Sequence, residues 1–304
     1  MASDRRLVVT IDTEVDCDRR WRVSDPPAFR SVVEGIPRVL TPLFDAYGVA
    51  PTYLLSGEVM EEPACVDVLR SLDGAELGTH LHAEFVDPQR RLFRDTMGGA
   101  VHDALQRQYP RDIEAAKLEC LTRLFEQAFG RRPSAFRAGR YGMSDDTLGL
   151  LADLGYRVDS SVTPGIRWDY PEGVVDYQSW RSGPRWIDTS QGGILELPIT
   201  IASPGRFAAI FGWTGGRWLR PSWAGGRELV RLAESCADET LVMMLHSTEV
   251  QPGSSPYAAD AAGVARITRA METLLRHWRD RGHAFETMSG AAERLARSVE
   301  PAAA

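Results

Sequence analysis

Apolar runs of four to six residues alternate with longer stretches whose apolar positions recur every three to four residues, and this alternation covers most of the chain. Such a pattern predicts strands joined by helices. "LVVTID" opens as the first strand, a helical pattern follows from about Phe29 to Tyr47 and stops at Gly48, and "APTYLL" is the second strand. "CVDVLRSL" reads as a short helix. "AELGTHLH" is the third strand, with histidines at its end. Residues 86–112 are polar and arginine-rich around "TMGGA", which predicts a long loop or insertion. Next come a helix from about Arg111 to Phe129 stopped by Gly130, the strand and turn "PSAFRAGRYG", the helix "SDDTLGLLADLGY" with Ser144 as N-cap, and the strand "RVDSSV". Gly, Pro and six of the eight tryptophans crowd residues 164–226, where only "GILELPITI" is strand-like. Order returns with the helix "GRELVRLAESCA", the strand "TLVMMLHS", a helix from about Ala259 to Arg281 and the closing strand "AFETMS". Repeated strand–helix units point to an α/β protein with a mainly parallel sheet, either a barrel or an open wound sheet.

Composition narrows the partners rather than the fold. A net charge of -7 and 25% charged residues give no broad basic field, so nucleic acid and an anionic membrane surface are poor partners. Lys117 is the only lysine, and the arginines are scattered without a long run. No apolar run approaches a membrane span, and "MASDRRLVVTIDTE" enters a strand without a signal-like core, so a cytoplasmic location is expected. Cys17, Cys65, Cys120 and Cys236 stand far apart, as suits reduced thiols. The ending "SVEPAAA" reads as a frayed tail.

Sites in barrels and wound sheets form at the C-terminal ends of strands. Titratable residues collect there in this chain: Asp12, Glu14 and Asp16 after "LVVT", His80, His82 and Glu84 after "AELGT", Arg137, Arg140 and Tyr141 after "PSAF", and His246 and Glu249 after "TLVMML". Alternation in an extended chain aims Asp12, Glu14 and Asp16 at one face, where their repulsion is relieved by a cation or a proton; otherwise they cap a turn or face solvent. His80 and His82 project together by the same rule, and two imidazoles with one acid make a three-ligand site with an open position for water. His246 is either a histidine bonded at a core edge or a general acid. Arg137 and Arg140 are surface charges, or they hold an acid in place. His102, His277 and His283 lack such neighbours and read as structural or solvated.

The ordered set "TIDTE", "PTYLLSGEV", "ELGTHLH", "FRAGRYG", "DLGYRVDSSVTP", "LELP" and "MMLHSTE" resembles the NodB-type polysaccharide deacetylases, the fourth carbohydrate esterase family, from about residue 7 to residue 290. The likeness is greatest to members whose second motif is His-x-His. It implies a single-domain, distorted parallel (β/α) barrel of about seven units over residues 1–290, with residues 291–304 as a tail. It also implies a divalent metal, zinc in most members, that activates water for hydrolysis of an N-acetyl sugar. Carried over by motif, Asp12 is the base and Glu14 the metal-binding acid, with the reverse assignment open. His80 and His82 are the remaining ligands, with Glu84 the alternative to His82. Arg137 is the arginine that orients the acid, His246 the general acid, and Tyr141 lies near the residue whose amide holds the oxyanion. The implied substrate is a saccharide or glycosylated small molecule; Trp168, Trp180, Trp186, Trp213, Trp218 and Trp223 either stack on it or serve as core or lid packing. Two other functions compete: a non-catalytic carbohydrate-binding relative, and a hydrolase of a non-sugar C–N bond.

Overall fold

The computed structural model describes residues 5–92, 104–171, 173–202 and 216–299; His102 and Trp213 lie outside them. In chain order its strands are β1 (Arg6–Thr13), β2 (Thr52–Leu55), β3 (Glu76–Leu81), β4 (Ala135–Ala138), β5 (Val158–Asp159), β6 (Arg167–Tyr170), β7 (Gly173–Asp176), β8 (Arg185–Thr189), β9 (Gly192–Glu196), β10 (Ile201–Ala202), β11 (Arg217–Trp218), β12 (Thr240–His246) and β13 (Ala284–Glu286). Seven strands run parallel in the order β12-β1-β2-β3-β4-β5-β9, with β8 antiparallel on β9 and β13 beside the start of β1. The sheet curls into an open barrel with helices outside it. The gap between β9 and β12 is bridged by the chain that follows β9. Thr200 donates its N–H to Val242 O (3.1 Å), its hydroxyl accepts from Val242 N (2.8 Å), and Leu219 is bonded both to Thr200 and to Met244 of β12.

The helical pattern expected from Phe29 to Tyr47 forms a rod, α1, made of Ser31–Leu40 and Thr41–Tyr47. Pro37 lies inside its first part, which winds with wide π-type turns. A proline in a regular α-helix loses one hydrogen bond and meets the carbonyl four residues back, so a looser winding accommodates it. Gly48 ends the rod at φ 66°, in the left-handed region glycine enters freely. Outside the barrel follow α2 (Gly57–Glu61), α3 (Pro63–Arg70), α4 (Arg111–Phe129), α5 (Thr147–Asp153), α6 (Gly226–Ser235) and α7 (Ala261–Asp280). Lys117 of α4 is fully buried, and its ammonium donates to Val86 O (2.6 Å) and to Pro88 O, pinning the chain just beyond the histidine strand.

Two apolar layers follow from the strand alternation. Leu7, Val9 and Ile11 of β1 face the helices, whereas Val8 turns inward with Leu54, Ala135, Val158, Leu195 and Val242. Gly78 of β3 has no room for a side chain, because a Cβ there would stand 2.5 Å from Ala135 O. The floor of the barrel is a final helix, α8 (Met288–Val299), whose Met288, Ala291 and Ala292 belong to the inner layer. Residues 291–299 are therefore not the tail expected for them: small apolar positions in "MSGAAERLA" give the helix a face narrow enough to plug the barrel. The segment 164–226 also holds more order than its composition predicts, with the β6–β7 hairpin and the β8–β9 pair in it. All four cysteines are unpaired. No helix of the described residues is long and apolar enough to cross a membrane.

Met288→Ala should lower the unfolding free energy by about 2–5 kcal/mol, the usual cost of truncating a buried methionine. Denaturant melts measure this, and a loss well under 1 kcal/mol would mean that the plug does not support the barrel.

Candidate active site

Strand register alone gathers the candidates at one end of the barrel. Asp12 stands beside Leu54 on one side and His246 on the other, and His80 stands beside Arg137. Val8, Thr10, Asp12 and Glu14 succeed one another at alternate positions, so the inward face of β1 passes from apolar to polar to charged as it climbs. Glu14 lies one residue past the strand, where its side chain reaches the mouth.

Arg137 is fully buried and uses all three guanidinium nitrogens. Nε donates to Ser160 O (2.8 Å), Nη1 to Asp12 Oδ1 (2.6 Å), and Nη2 to Thr10 Oγ1 and Ser160 Oγ (2.9 Å each). Asp12 is thereby fixed in direction. The backbone carbonyl of Arg137 accepts from His80 Nδ1 at 2.9 Å, which settles the tautomer of that ring: a carbonyl takes only a donor, so Nδ1 carries the proton.

A neutral His80 must then aim the lone pair of Nε2 at Glu14 Oε1, 2.9 Å away, and His82 Nε2 approaches the same oxygen at 3.0 Å. Acceptor facing acceptor is untenable without a proton or a cation between them. In the structure the proton is favoured: burial works against a charged His80, but Asp12 and Glu14 outweigh it and raise its pKa above the imidazole norm. Burial likewise raises Glu14, yet the charges of His246 and His82 and the bonds from His80 and His82 hold it well below the carboxylate range. The same three groups suit a metal. One ligand atom from each of Glu14, His80 and His82 falls within 4.8 Å of the other two. Atoms bound to one zinc ion at about 2.1 Å stand roughly 3–3.5 Å apart, close to the spacing here, and the carbonyl behind His80 is the usual outer partner of a ligating imidazole.

Glu84, the alternative ligand, is turned elsewhere: it is fully buried and ion-paired with Arg140 Nη1 at 2.6 Å. The backbone at His82 is still extended (φ -89°, ψ 97°), and the turn begins only at Ala83, so His82 keeps the strand's alternation with His80. Asp16 also leaves the expected face, because β1 has ended at Thr13. Its carboxylate instead accepts from the N–H groups of Arg30 (2.9 Å) and Ser31 (3.1 Å), capping α1.

Across the mouth, His246 Nε2 lies 4.0 Å from Glu14 Oε1. Its Nδ1 meets Glu249 Oε1 at 3.0 Å, and Arg220 Nη2 binds the same carboxylate. Although buried, which would raise it, Glu249 is held at about 2 by Arg220 and His246. Arg220 was invisible as a site residue in the sequence, since it sits among glycines and tryptophans far from any strand motif. The turn after β4 adds strain at the same end: Arg140 and Tyr141 both take left-handed φ (51° and 57°), unusual for side-chain-bearing residues. The hydroxyls of Tyr170 and Tyr177 hold their carbonyls, at 3.1 and 2.5 Å. Gly139, just before, would drive a Cβ into Leu81 O (2.6 Å) and His82 Nδ1 (3.0 Å). Trp168 and Trp218 pack with Tyr141 beside this turn, Trp180 packs on Tyr177, and Trp186 lies against the inner core layer. His277 pairs with Glu234 at the surface and His283 packs on Trp278, both away from the mouth.

No protein-family model matches the chain. A stretch of 181 residues is 27% identical to a peptidoglycan deacetylase-like protein of Gibberella zeae, covering 54% of this chain and 46% of that protein; the match thus spans under half the length of the relative. Superposition is more extensive. A structure from Mycobacterium smegmatis described as a polysaccharide deacetylase aligns with a TM-score of 0.59 over 100% of this chain and 95% of its own, at 18% identity. The chain has the polysaccharide deacetylase fold. The Puue allantoinase aligns with a TM-score of 0.54, at 14% identity, over 98% of this chain and 91% of its own, so the fold is not confined to proteins described as deacetylases. In this chain that fold supplies the open parallel barrel whose strand ends carry Asp12, His80, Arg137 and His246.

Beneath the mouth, Asp159 and Glu196 are neighbours in register on β5 and β9 and are fully buried. Burial and then the adjacent Asp159 push Glu196 well above the carboxylate range, and burial raises Asp159 too, so the pair holds a proton between them. Stability then falls as pH rises above 4.5, the ordinary value for Glu196, because the unfolded chain releases a proton that the folded pair retains. Glu196→Gln replaces the protonated acid with a neutral isostere that can still accept from Val162 N. Melting temperatures measured from pH 5 to 8 should fall less steeply for this variant than for the wild type; equal slopes would show that the pair is ionised.

Proposed function

We propose that the protein is a divalent-metal-dependent hydrolase that removes an N-acyl group, in our reading acetyl, from an amino sugar or glycosylated metabolite. The observation that carries this is the convergence of Glu14, His80 and His82 within 4.8 Å, with Asp12 held by Arg137 behind them and His246 across the mouth. A divalent ion bound by those three residues, zinc being our choice, supplies Lewis acidity and lowers the pKa of a water molecule. Asp12, aimed by the guanidinium of Arg137, takes a proton from the attacking water. His246 stands on the opposite side with Nδ1 turned to Glu249, which leaves Nε2 facing the mouth to protonate the departing amine as the C–N bond breaks. In this reading the left-handed turn at Arg140 and Tyr141 is the source of an N–H donor for the acyl oxygen, a contribution of about 3–4 kcal/mol when such a donor is well aimed.

A non-catalytic relative is the weaker reading, because the His-x-His variant of the motif still brings one carboxylate and two imidazoles within 4.8 Å of one another. A hydrolase of a non-sugar C–N bond draws support from the fold shared with the allantoinase. Acetate release from a panel of N-acetyl sugars separates the three, and absence of release with a metal still bound would favour the last.

Asp12→Asn should retain metal, by elemental analysis of chelator-free preparations, while turnover disappears. Metal loss in that variant would instead make Asp12 a ligand. His80→Ala should lose the metal outright. His246→Ala should keep it and slow turnover by about 100- to 10,000-fold, the range for a missing general acid.

A further inference from the structure

Trp21 is half exposed (50%) and lies in a seven-residue loop that no motif of the sequence marked. Its backbone is left-handed at φ 61°, a conformation that costs a bulky residue free energy and that glycine adopts without penalty. The loop is nevertheless constructed to keep it so. Asp18 Oδ1 accepts from the N–H groups of Arg20 (2.7 Å) and Arg22 (3.0 Å), Asp18 Oδ2 accepts from the Arg22 guanidinium (2.6 and 2.8 Å), and Trp21 N donates to Asp18 O (3.0 Å). A bridge between Cys17 and Val23 closes its base. The indole is thus presented to solvent at a cost in backbone energy and with little burial in return.

What it stands beside gives that presentation a purpose. Its ring meets His246 edge-on at 6.1 Å and Tyr257 at 5.6 Å. Tyr257 in turn meets Trp223, which is 43% exposed, at 6.3 Å. An arc of rings therefore runs from the histidine outward, and two of the four exposed large apolar side chains among the described residues lie on it.

We infer that Trp21 is a stacking platform for the pyranose ring that carries the N-acyl group, with Trp223 continuing the platform outward. This rests on the function proposed above, in which His246 protonates the leaving amine. The ring attached to that amine must then lie on the His246 side of the mouth, where Trp21 offers a flat apolar face to the C–H face of a sugar. Trp21 binds and orients the substrate; it exchanges no proton.

The test uses the metal-loaded full chain and the N-acetylglucosamine disaccharide as probe. Direct binding is measured in the Asp12→Asn background and turnover in the otherwise native protein. Trp21→Ala should weaken binding and raise KM about tenfold, with kcat changed by less than about threefold, in line with a lost aromatic stack. Trp21→Phe should recover most of the affinity. Trp21→Gly, which relieves the left-handed backbone, should melt no lower than wild type and yet bind as poorly as Trp21→Ala. Binding unchanged in Trp21→Ala and Trp21→Gly while the wild type binds would overturn the inference and leave the proposed activity intact. Affinity lost with Trp21 in a protein that releases no acetate would uphold the platform and overturn the deacetylase reading. A wild type that neither binds nor turns over the probe overturns both.

Discussion

A guanidinium sealed inside a barrel needs a counter-charge and a partner for its nitrogens, and Arg137 has both. Its bonds reach Asp12 and Thr10 on β1 and Ser160 just after β5, while its carbonyl fixes the tautomer of His80 on β3. One residue of β4 therefore sets the direction of the proposed base and of a proposed ligand, and it ties three other segments of the sheet region together. Removing one partner of such a buried pair typically costs 3–5 kcal/mol, because the other charge is left uncompensated. Geometry at the mouth is for that reason a property of the barrel interior rather than of the loops above it.

The interior is layered to make this possible. The C-terminal helix and the ring of Val8, Leu54, Ala135, Val158 and Leu195 close the bottom, and Thr10, Ser160 and the guanidinium form the next storey. Asp159 and Glu196 share the lower polar region through a retained proton, so that two acids on adjacent strands add less negative charge than their number implies. Ser161 links that pair to β4, donating to Asp159 and accepting from Ala138 N. Each polar layer rests on the one beneath it, and the charged groups that water reaches lie at the mouth, where Glu14, His82 and His246 are partly exposed.

Much of this arrangement was legible in the sequence because it follows from strand alternation. Period two along "LVVTIDTE" and "ELGTHLH" puts Asp12 with Glu14 and His80 with His82, and strand register does the rest. Asp16 escaped the same rule since the strand stops three residues earlier, and Glu84 escaped it since a turn intervenes. Within residues 164–226 only β9, which overlaps "GILELPITI", was legible; the remaining strands, two to five residues long, carry too few alternations to register as a period. Arg220 and Trp21 were hidden for a different reason. Each acts through partners distant in the chain, and no local pattern encodes such a meeting.

The aromatic arc links the two halves of the mouth. Arg220 is almost wholly buried, and its guanidinium carbon lies 4.5 Å from the ring of Trp223 and 4.8 Å from the ring of Tyr257. These rings favour the cation and exclude water from its pair with Glu249, where a lower local dielectric strengthens the attraction. Glu249 in turn holds Nδ1 of His246, so the rings fix the imidazole indirectly. Trp21 closes the same ring of contacts against His246 itself. An arc that keeps an ion pair dry from below offers its outer faces above, and a substrate ring laid on those faces would shield the histidine further at the moment it gives up its proton.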